Sequence, residues 1–422
     1  MSDKKLYNEQ SIESLSPLEF TRLRPGVYAG DTTYSTQLLV EIISNAIDEF
    51  RLGHGNLIEV KIDKDIVSVR DYGQGFIPNS MRDDGKTILE AAFSVLNTSG
   101  KYREDGTYEG TSLGSFGIGS KITTFLSHWL KVWTVRDGKI EQIMFKEGVF
   151  ADRMSGVDKG PSGTYVEWQP SEEFFTNTTV EEKVIRDLFK TTVCLCPGLT
   201  IKLDYNGNVV EYYSTNGLND LVDDNVKDNE IINKRFIYQM EEGKSKLDMV
   251  MTYTSNYSST IVPYVNTGLT ETGAHITQFK TYITKVFNKF IRDKKWLKEK
   301  EDNLTGDDIQ EGLYLVFNIT TPGVGYDAQV KSRITKIDMK PFIGPFVTAF
   351  GDWLETNEKE VKSIADKAIN ARKAREAAKK ARDSVRGKEA KKQKALKFDS
   401  KLADCYSKDR SKCEIYITEG KR

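Results

Sequence analysis

Residues 41–49, with the sequence E-I-I-S-N-A-I-D-E, decide how this chain folds. If the stretch is helical, Glu41, Asn45 and Asp48 stand at positions i, i+4 and i+7 and share one face. Apolar side chains cover the other faces: Ile42, Ile43, Ala46, Ile47 and Phe50. A helix this apolar packs on more than one side, and buried polar groups are costly unless they have partners. The pattern therefore predicts a polar site on a buried helix; a solvated stripe on a surface helix is the alternative.

Three further motifs follow in order along the chain. Asp71-Tyr72-Gly73-Gln74-Gly75 comes at the end of a predicted strand, residues 114–119 (G-S-F-G-I-G) open a predicted helix, and Gly163-Thr164 begin another strand. With residues 41–49 they resemble the ATP-binding fold shared by gyrase-type topoisomerases, the Hsp90 chaperones, histidine kinases and the MutL mismatch-repair proteins. The resemblance implies an α+β protein whose first domain is a two-layer α/β sandwich that binds ATP.

The same resemblance implies a role for each of these residues. Glu41 is the general base for an attacking water, and Asn45 binds Mg²⁺ through its amide oxygen, a hard donor. Asp71 accepts a hydrogen bond from the adenine amino group, with Thr164 beside it. The other residues expected in the nucleotide site are Asp48, Gly73, Gly75, Lys101, Gly114, Ser115, Phe116, Gly117, Ile118 and Gly119. Residues 97–120 are expected to form a lid whose amide groups contact phosphate, with a flexible surface loop as the alternative.

The N-terminal part of the chain adds a dimerisation signal. Ser16-Pro17-Leu18-Glu19 is a capping box that predicts a helix start. Residues 24–30, R-P-G-V-Y-A-G, resemble the R-P-G-x-Y-x-G signature of gyrase B, topoisomerase IV and eukaryotic topoisomerase II. In those families an N-terminal arm reaches the nucleotide of the partner protomer, which implies that role for residues 1–15 and for Tyr7. A disordered tail is the alternative.

Residues 218–386 are predicted to form a second α/β domain. Asn266-Thr267 and residues 271–275 (E-T-G-A-H) resemble the N-T…G-G-T-H stretch of the topoisomerase transducer. Gln329-Val330-Lys331 matches its Q-T-K loop, which implies that Gln329 and Lys331 touch the γ-phosphate and that Lys331 assists catalysis. A solvent-exposed lysine in a loop is the alternative.

The last part of the chain is rich in alanine and lysine. A long helix is predicted from residue 358 to 386, interrupted or ended near Gly387. Residues 401–405, K-L-A-D-C, resemble the stretch before the metal-binding TOPRIM domain. Residues 414–418 then resemble its first strand, which delivers Glu419 to an incomplete Mg²⁺ site. The expected domains are residues 1–217, 218–386 and 387–422. The rest of TOPRIM and the DNA-cleaving tyrosine are expected on a partner subunit or domain.

Charge is unevenly distributed over the 422 residues. Residues 362–397 hold 14 Lys/Arg and 4 Asp/Glu, a net +10, so the formal charge of −1 leaves −11 for the rest. This basic stretch predicts contact with double-stranded DNA, or else a solvated helix face. No apolar run reaches membrane-spanning length, and the four cysteines form no zinc pattern. An intracellular, cytoplasmic protein without a membrane partner is expected.

Together these features resemble the ATPase part of a type IIA DNA topoisomerase. ATP binding is expected to pair two protomers into a gate that captures a DNA duplex, and hydrolysis is expected to reopen it. The alternatives are a MutL-like repair clamp, a histidine kinase, and a DNA-binding gate that uses ATP only to dimerise. The kinase is the weakest of these, because none of His54, His128 and His275 lies in a plausible phospho-acceptor helix.

Overall fold

The computed structural model of the chain describes residues 15–96, 98, 117–327, 333–396, 407 and 409–415. The helices are α1 (Pro17–Leu23), α2 (Pro25–Ala29), α3 (Thr36–Arg51), α4 (Ile88–Ser94), α5 (Gly119–Phe125), α6 (Glu182–Leu195), α7 (Leu218–Val226), α8 (Ala274–Asp293), α9 (Gly306–Gln310), α10 (Lys340–Thr356) and α11 (Glu358–Leu396). The strands are β1 (Leu57–Asp63), β2 (Ile66–Asp71), β3 (Ser127–Arg136), β4 (Lys139–Lys146), β5 (Val149–Val157), β6 (Gly163–Pro170), β7 (Thr200–Tyr205), β8 (Asn208–Tyr212), β9 (Phe236–Glu242), β10 (Ser245–Tyr253), β11 (Thr260–Val265), β12 (Gly268–Leu269), β13 (Leu313–Thr320), β14 (Gly325–Tyr326) and β15 (Ile334–Lys336).

The first eight strands form one mixed sheet in the order β5-β4-β3-β6-β2-β1-β7-β8. Only β1 and β7 pair in parallel; the other neighbours are antiparallel. Burial alternates along β4 and β6, so one face of the sheet meets the helices. The core between the layers includes Leu38, Leu39 and Ile43 of α3 and Trp168 of β6. This arrangement confirms the predicted two-layer α/β sandwich.

The sequence predicts one hairpin of residues 57–62 with 66–70 and another of residues 132–135 with 140–145, and both are present. β1 and β2 turn through residues 63–66, and β3 and β4 turn at residues 136–139. Both hairpins are longer than predicted: β3 begins five residues earlier, at Ser127, and its pairing with β4 also reaches Arg136 and Lys139 beside the turn. β2 ends at Asp71, as the motif at its end required.

The second sheet has five strands in the order β12-β11-β13-β10-β9. Its central strand, β13, is buried along nearly its whole length, and α8 and α10 cover it with aromatic side chains. These include Phe279 and Phe287 of α8 and Phe346 and Phe350 of α10. A separate core of this size gives the α/β unit expected after the first sandwich.

α7 lies between the two sheets. Its Leu218 and Val222 belong to the core of the first sheet, together with Val250 and Val316 of the second. The first sheet ends at Tyr212 and the second begins at Phe236. The domain boundaries at residues 217 and 386 stay predictions, since α7 packs on both units.

Local sequence signals predicted the start of α1 correctly but not the end of α11. The Ser16 capping box is formed in both directions, with Ser16 N donating to Glu19 Oε2 at 2.8 Å and Glu19 N donating to Ser16 Oγ at 3.3 Å. The predicted stop near Gly387 is wrong, because α11 continues to Leu396. One glycine costs a helix about 1 kcal/mol, and the alanine- and lysine-rich flanks offset it.

Near the C-terminus the described residues include a short 3₁₀ helix, Arg410–Lys412. Glu414 and Ile415, the described part of the predicted TOPRIM strand, are irregular. Glu419 lies outside the described residues. Within the described parts of the chain, no helix is both long and apolar enough to cross a membrane.

Candidate active site

A cavity of about 450 Å³ opens between α3 and the adjoining strands β2 and β6. This size falls in the range of small-molecule sites. Its polar lining comes from Glu41, Ser44, Asn45, Glu49, Asp71, Gln74, Thr98, Ser120, Lys121, Arg136 and Thr164. Its apolar lining comes from Ile42, Ala46, Leu52, Val69, Phe76, Ile77, Ile88, Ala92, Phe93 and Val166. The cavity thus joins residues from the separate motifs of the sequence.

Glu41 is buried at one end of this cavity, with 8% of its surface exposed. Its Oε1 accepts a hydrogen bond from Gln37 Nε2 at 2.8 Å. A Cβ atom built on Gly119 would lie 2.1 Å from Glu41 Oε2. Glycine is therefore required at position 119, because any side chain there would displace the carboxylate.

Asn45, one turn further along α3, also lines the cavity and its side chain is exposed. Asp48 does not line the cavity, contrary to the prediction from its spacing. It is only 4% exposed and lies near Arg51 and Cys196. Burial raises the pKa of the Cys196 thiol, and the charge of Asp48 adds to this rise.

Glu49 occupies the cavity wall where Asp48 was expected. Its Oε2 accepts a hydrogen bond from Gln74 N at 3.3 Å. A Cβ atom on Gly73 would lie 2.8 Å from the same oxygen, so Gly73 makes room for Glu49 and does not itself line the cavity. Sequence reasoning missed Glu49 although it lies two helical turns after Glu41.

Asp71 lies at the opposite end of the cavity, at the last position of β2. Its Oδ1 accepts hydrogen bonds from Gly73 N at 2.9 Å and from Thr164 N at 3.1 Å. Burial raises the pKa of Asp71 to about 6, Glu49 adds to the rise, and the two backbone N–H groups oppose it. The prediction that Thr164 lies beside Asp71 is confirmed in position.

Gly75 forms part of the wall near Asp71, with φ of +70°. A Cβ atom there would lie 2.7 Å from both Thr134 Oγ1 and Val135 O. Arg136 donates to Gly75 O at 3.3 Å and lines the same wall. The close approach of β3 explains the need for glycine at position 75.

Lys121 is a second residue that the sequence reasoning missed. Only 3% of it is exposed, and its Nζ donates to Thr98 O at 2.9 Å. Burial lowers the pKa of Lys121 to about 8. Gly117 and Gly119 line the cavity beside it, whereas Ile118 is buried in the core of the first unit. In the sequence, the available signal for Lys121 was its position two residues after Gly119.

The remaining predicted site residues lie outside the described residues: Tyr7, Lys101, Gly114, Ser115, Phe116, Gln329, Lys331 and Glu419. Their roles stay predictions. On either side of residues 328–332 the chain is held by the pair β14–β15, and Ile334 N donates to Thr272 O at 3.0 Å. The E-T-G-A-H motif thus supports the chain next to the predicted Q-V-K loop.

His275 of that motif is fully buried. Its Nε2 lies 2.9 Å from Thr270 Oγ1, and its ring packs against Phe317. Burial lowers the pKa of His275 to about 4. The histidine is therefore neutral at physiological pH and has a packing role in the second unit.

Comparisons with known proteins agree with this fold. The family model for DNA gyrase B matches residues 217–384. The B subunit of topoisomerase 4 from Bacillus subtilis is 32% identical over 98% of this chain and 64% of its own length. The B subunit of DNA gyrase from Thermotoga maritima is 30% identical over 98% of this chain and 67% of its own length.

A solved structure extends the likeness to three dimensions. The 43K ATPase domain of Thermus thermophilus gyrase B, solved with an aminocoumarin, has a TM-score of 0.69 and 26% identity. The match covers 87% of this chain and 97% of that one. The chain spans about half to two thirds of the length of the curated relatives it matches. It belongs to the type IIA topoisomerase family, with the B subunits of DNA gyrase and topoisomerase IV.

Proposed function

We propose that this chain is the ATP-hydrolysing part of a type IIA DNA topoisomerase. The observation that carries the proposal is the cavity itself, which has Glu41 and Asn45 one helical turn apart at one end and Asp71 at the other. A nucleotide has matching ends: a base with an amino donor, and phosphates that react with water.

At the Asp71 end the site fits adenine. Asp71 is half-buried and its Oδ1 is held by two backbone N–H groups, so its position is fixed before a ligand arrives. The adenine amino group would donate to this carboxylate and stabilise its charged form. Apolar side chains of the lining, including Val69, Ile77 and Val166, would contact the faces of the base.

At the Glu41 end the site fits phosphates and Mg²⁺. Asn45 offers a hard amide oxygen in the open cavity and makes no hydrogen bond to the described residues. No group of three or more His, Cys, Asp or Glu that could hold a metal occurs in the described part of the chain. Mg²⁺ would therefore be held by Asn45 together with phosphate oxygens and water, and it would neutralise phosphate charge when bound.

Cationic side chains complete the phosphate end. Among the described residues the buried Lys121 has one partner, Thr98 O, so a phosphate oxygen would supply a counter-charge to its ammonium group. Lys101 and Lys331 are proposed as further cations at the phosphates, from the family motifs that they match. Backbone N–H groups at Gly117 and Gly119 are proposed to contact the same phosphates.

In this arrangement Glu41 acts as the general base. Its carboxylate takes a proton from the water as that water attacks the terminal phosphorus and the bond to the leaving ADP oxygen breaks. Gln37 holds the carboxylate through Oε1, which leaves Oε2 for the water. The transferred group leaves as inorganic phosphate.

The proposed partners follow from the family. ATP binding pairs two copies of the chain through residues 1–15, including Tyr7, and the dimer encloses a DNA duplex. A separate polypeptide or domain with the catalytic tyrosine and the TOPRIM residues cleaves the DNA. From the family we also propose that the protein acts in the cytoplasm, where the DNA substrate of such an enzyme lies.

The experiment that tests the proposal compares hydrolysis with binding in two variants. We expect Glu41→Ala to release phosphate about 10²–10⁴-fold more slowly than the wild type while it still binds a non-hydrolysable ATP analogue. Lys121→Met should instead bind the analogue more weakly, because a phosphate contact is lost. Steady-state phosphate release and fluorescence titration measure the two properties. Wild-type turnover in Glu41→Ala would refute the assignment of the base.

A further inference from the structure

The last residue of the catalytic helix reaches the second unit. Arg51 is half-buried, and one of its terminal nitrogens donates to Asn266 O at 3.3 Å. The other donates to Thr320 Oγ1, also at 3.3 Å. Thr320 ends β13 and Asn266 lies in the turn between β11 and β12, so α3 contacts both units.

The two acceptors belong to a rigid part of the second unit. Asn266 and Thr267 form the turn after β11, with φ of +52° and +69°. The Asn266 side chain bonds both backbone groups of Thr321, donating to its oxygen at 3.1 Å and accepting from its nitrogen at 3.0 Å. Asn266 N donates to Ile319 O at 2.7 Å. The turn and the end of β13 are therefore fixed to each other.

α3 is a single 16-residue helix without an internal break. Arg51 lies ten residues after Glu41, about 15 Å along the helix axis. A helix of this length moves as one body, so a shift at Arg51 displaces Glu41 and Asn45 as well. Asp71 lies on β2, and the two hydrogen bonds to its Oδ1 come from Gly73 N and Thr164 N, neither of which belongs to α3.

We propose that Arg51 is a positioning residue for ATP hydrolysis. It ties the C-terminal end of α3 to the turn at Asn266 and to Thr320, so that the placement of the second unit sets the placement of Glu41. The inference rests on the proposed function, because it assigns Arg51 a role through the base Glu41. The hydrogen bonds are long and use uncharged acceptors, so they are weak enough to exchange when the two units shift.

The test uses the full chain and separates kcat from nucleotide binding. Arg51→Met keeps most of the side-chain volume and removes both hydrogen bonds. We expect kcat for ATP hydrolysis to fall about tenfold, because a small displacement of a base is enough to slow proton transfer. Affinity for ADP should change much less than kcat, since the hydrogen bonds that hold Asp71 come from Gly73 N and Thr164 N and not from α3. Arg51→Lys, which can reach one acceptor, should restore part of kcat.

Thr320→Val approaches the same contact from the other unit. It removes one acceptor and keeps the β-branched shape that β13 requires, so it tests the contact even if Arg51→Met folds poorly. We expect a smaller fall in kcat, and the double variant should be no slower than Arg51→Met alone. Arg186→Met is the matched control, because Arg186 bonds Glu182 and Tyr212 within the first unit. Its effects should add to those of Arg51→Met.

Two results would overturn the role of Arg51. One is unchanged kcat in both Arg51→Met and Thr320→Val; the other is additive losses in their double variant, which general destabilisation would produce. Glu41→Ala, assayed in parallel, tests the proposed function separately. If Glu41→Ala loses activity and the Arg51 and Thr320 variants do not, only the inference about Arg51 fails.

Discussion

At the scale of single residues, Asp71 gives the site its clearest dependence on pH. Its pKa is raised from 3.8 to about 6 because the carboxyl group is buried. The proton is therefore held more tightly in the folded chain than in the unfolded chain. Its contribution to stability is fully present below pH 3.8 and is lost as the pH rises through about 6. Over that window the free energy of unfolding of the free protein should fall by about 3 kcal/mol.

Nucleotide binding should show the opposite trend. The adenine amino group needs a charged acceptor, so we expect the affinity for a non-hydrolysable ATP analogue to fall as the pH drops below about 6. The loss approaches tenfold per pH unit at the acid end. Fluorescence titration between pH 5 and 8 measures it. Asp71→Asn is the control: it should bind weakly, with an affinity that changes little with pH. An equally steep loss in Asp71→Asn would show that another group titrates.

The sequence motifs identified seven residues of the cavity wall, whereas the charged residues Glu49 and Lys121 depended on three-dimensional packing. On an ideal helix Asp48 is about 20° from Glu41 and Glu49 is about 80° away, so spacing alone favours Asp48. The cavity curves around the side of α3 that bears Asn45, and this brings in Glu49. Lys121 was missed for a related reason: it follows the glycine-rich motif by two residues, but this spacing does not reveal that the folded chain buries its side chain against Thr98 O.

At the scale of elements, α11 divides into two parts. Up to Arg372 the helix packs on the second unit, through Val361, Ile364, Ala365, Ala368 and Ala371. Arg372 donates to Glu301 Oε1 and Asp302 O, each at 2.9 Å. Arg375 makes two bonds to Asp308, at 2.8 and 2.9 Å. Two of the basic residues in the stretch predicted to contact DNA, Arg372 and Arg375, thus attach the helix to the second unit instead.

The exposed part of α11 begins at Lys373, and every described side chain from there to Arg386 is exposed. Lys379, Arg382 and Arg386 stand at i, i+3 and i+7, on one face. Lys373 and Lys380 lie on a different face. If the first set contacts DNA, its charges determine how strongly DNA-stimulated ATP hydrolysis depends on salt.

We expect Lys379→Gln/Arg382→Gln to flatten the log–log dependence of DNA stimulation on salt by about 1.8, since each phosphate contact contributes about 0.9. Turnover without DNA should not change. Lys373→Gln/Lys380→Gln removes the same charge from the other face and is the matched control. ATPase assays with titrated DNA at several salt concentrations measure both pairs. Equal flattening by the two pairs would exclude a specific face, and no flattening by either would leave α11 as a connector.

Elements with strong local signals were predictable. The capping box fixed the start of α1, and alternation of apolar residues fixed both hairpins. Two elements depended on more than local propensity. Pro25 starts the short helix α2, which was not predicted from the R-P-G-V-Y-A-G stretch, because proline fits the first helical position. Gly387 does not end α11, because a single unfavourable residue is outweighed by a long run of good helix formers.

At the scale of the whole molecule, the attachment of α1 determines where the N-terminal arm begins. Arg22 donates to Glu147 at 2.9 Å, to Glu173 at 2.8 Å and to Phe125 O at 3.3 Å. Its guanidinium group also lies 4.7 Å from the centre of the Phe174 ring. Four contacts from one side chain hold α1 to the first unit, so the position of Ser16 at the start of this helix is fixed.

This attachment leads to a prediction about assembly. We expect the chain to be largely monomeric without nucleotide and dimeric with a non-hydrolysable ATP analogue, as measured by sedimentation velocity. Deleting residues 1–14 should weaken the dimer without abolishing analogue binding, because the cavity is built from residues further along the chain. Arg22→Ala should weaken the dimer roughly tenfold, since an arm with a loose origin loses more entropy on docking. Arg24→Ala, which removes an exposed arginine just after α1, is the control and should leave the dimer unchanged.

A mass that does not respond to the analogue would argue against a nucleotide-operated gate. Equal dimers in the Arg22 and Arg24 variants would show that the origin of the arm need not be fixed.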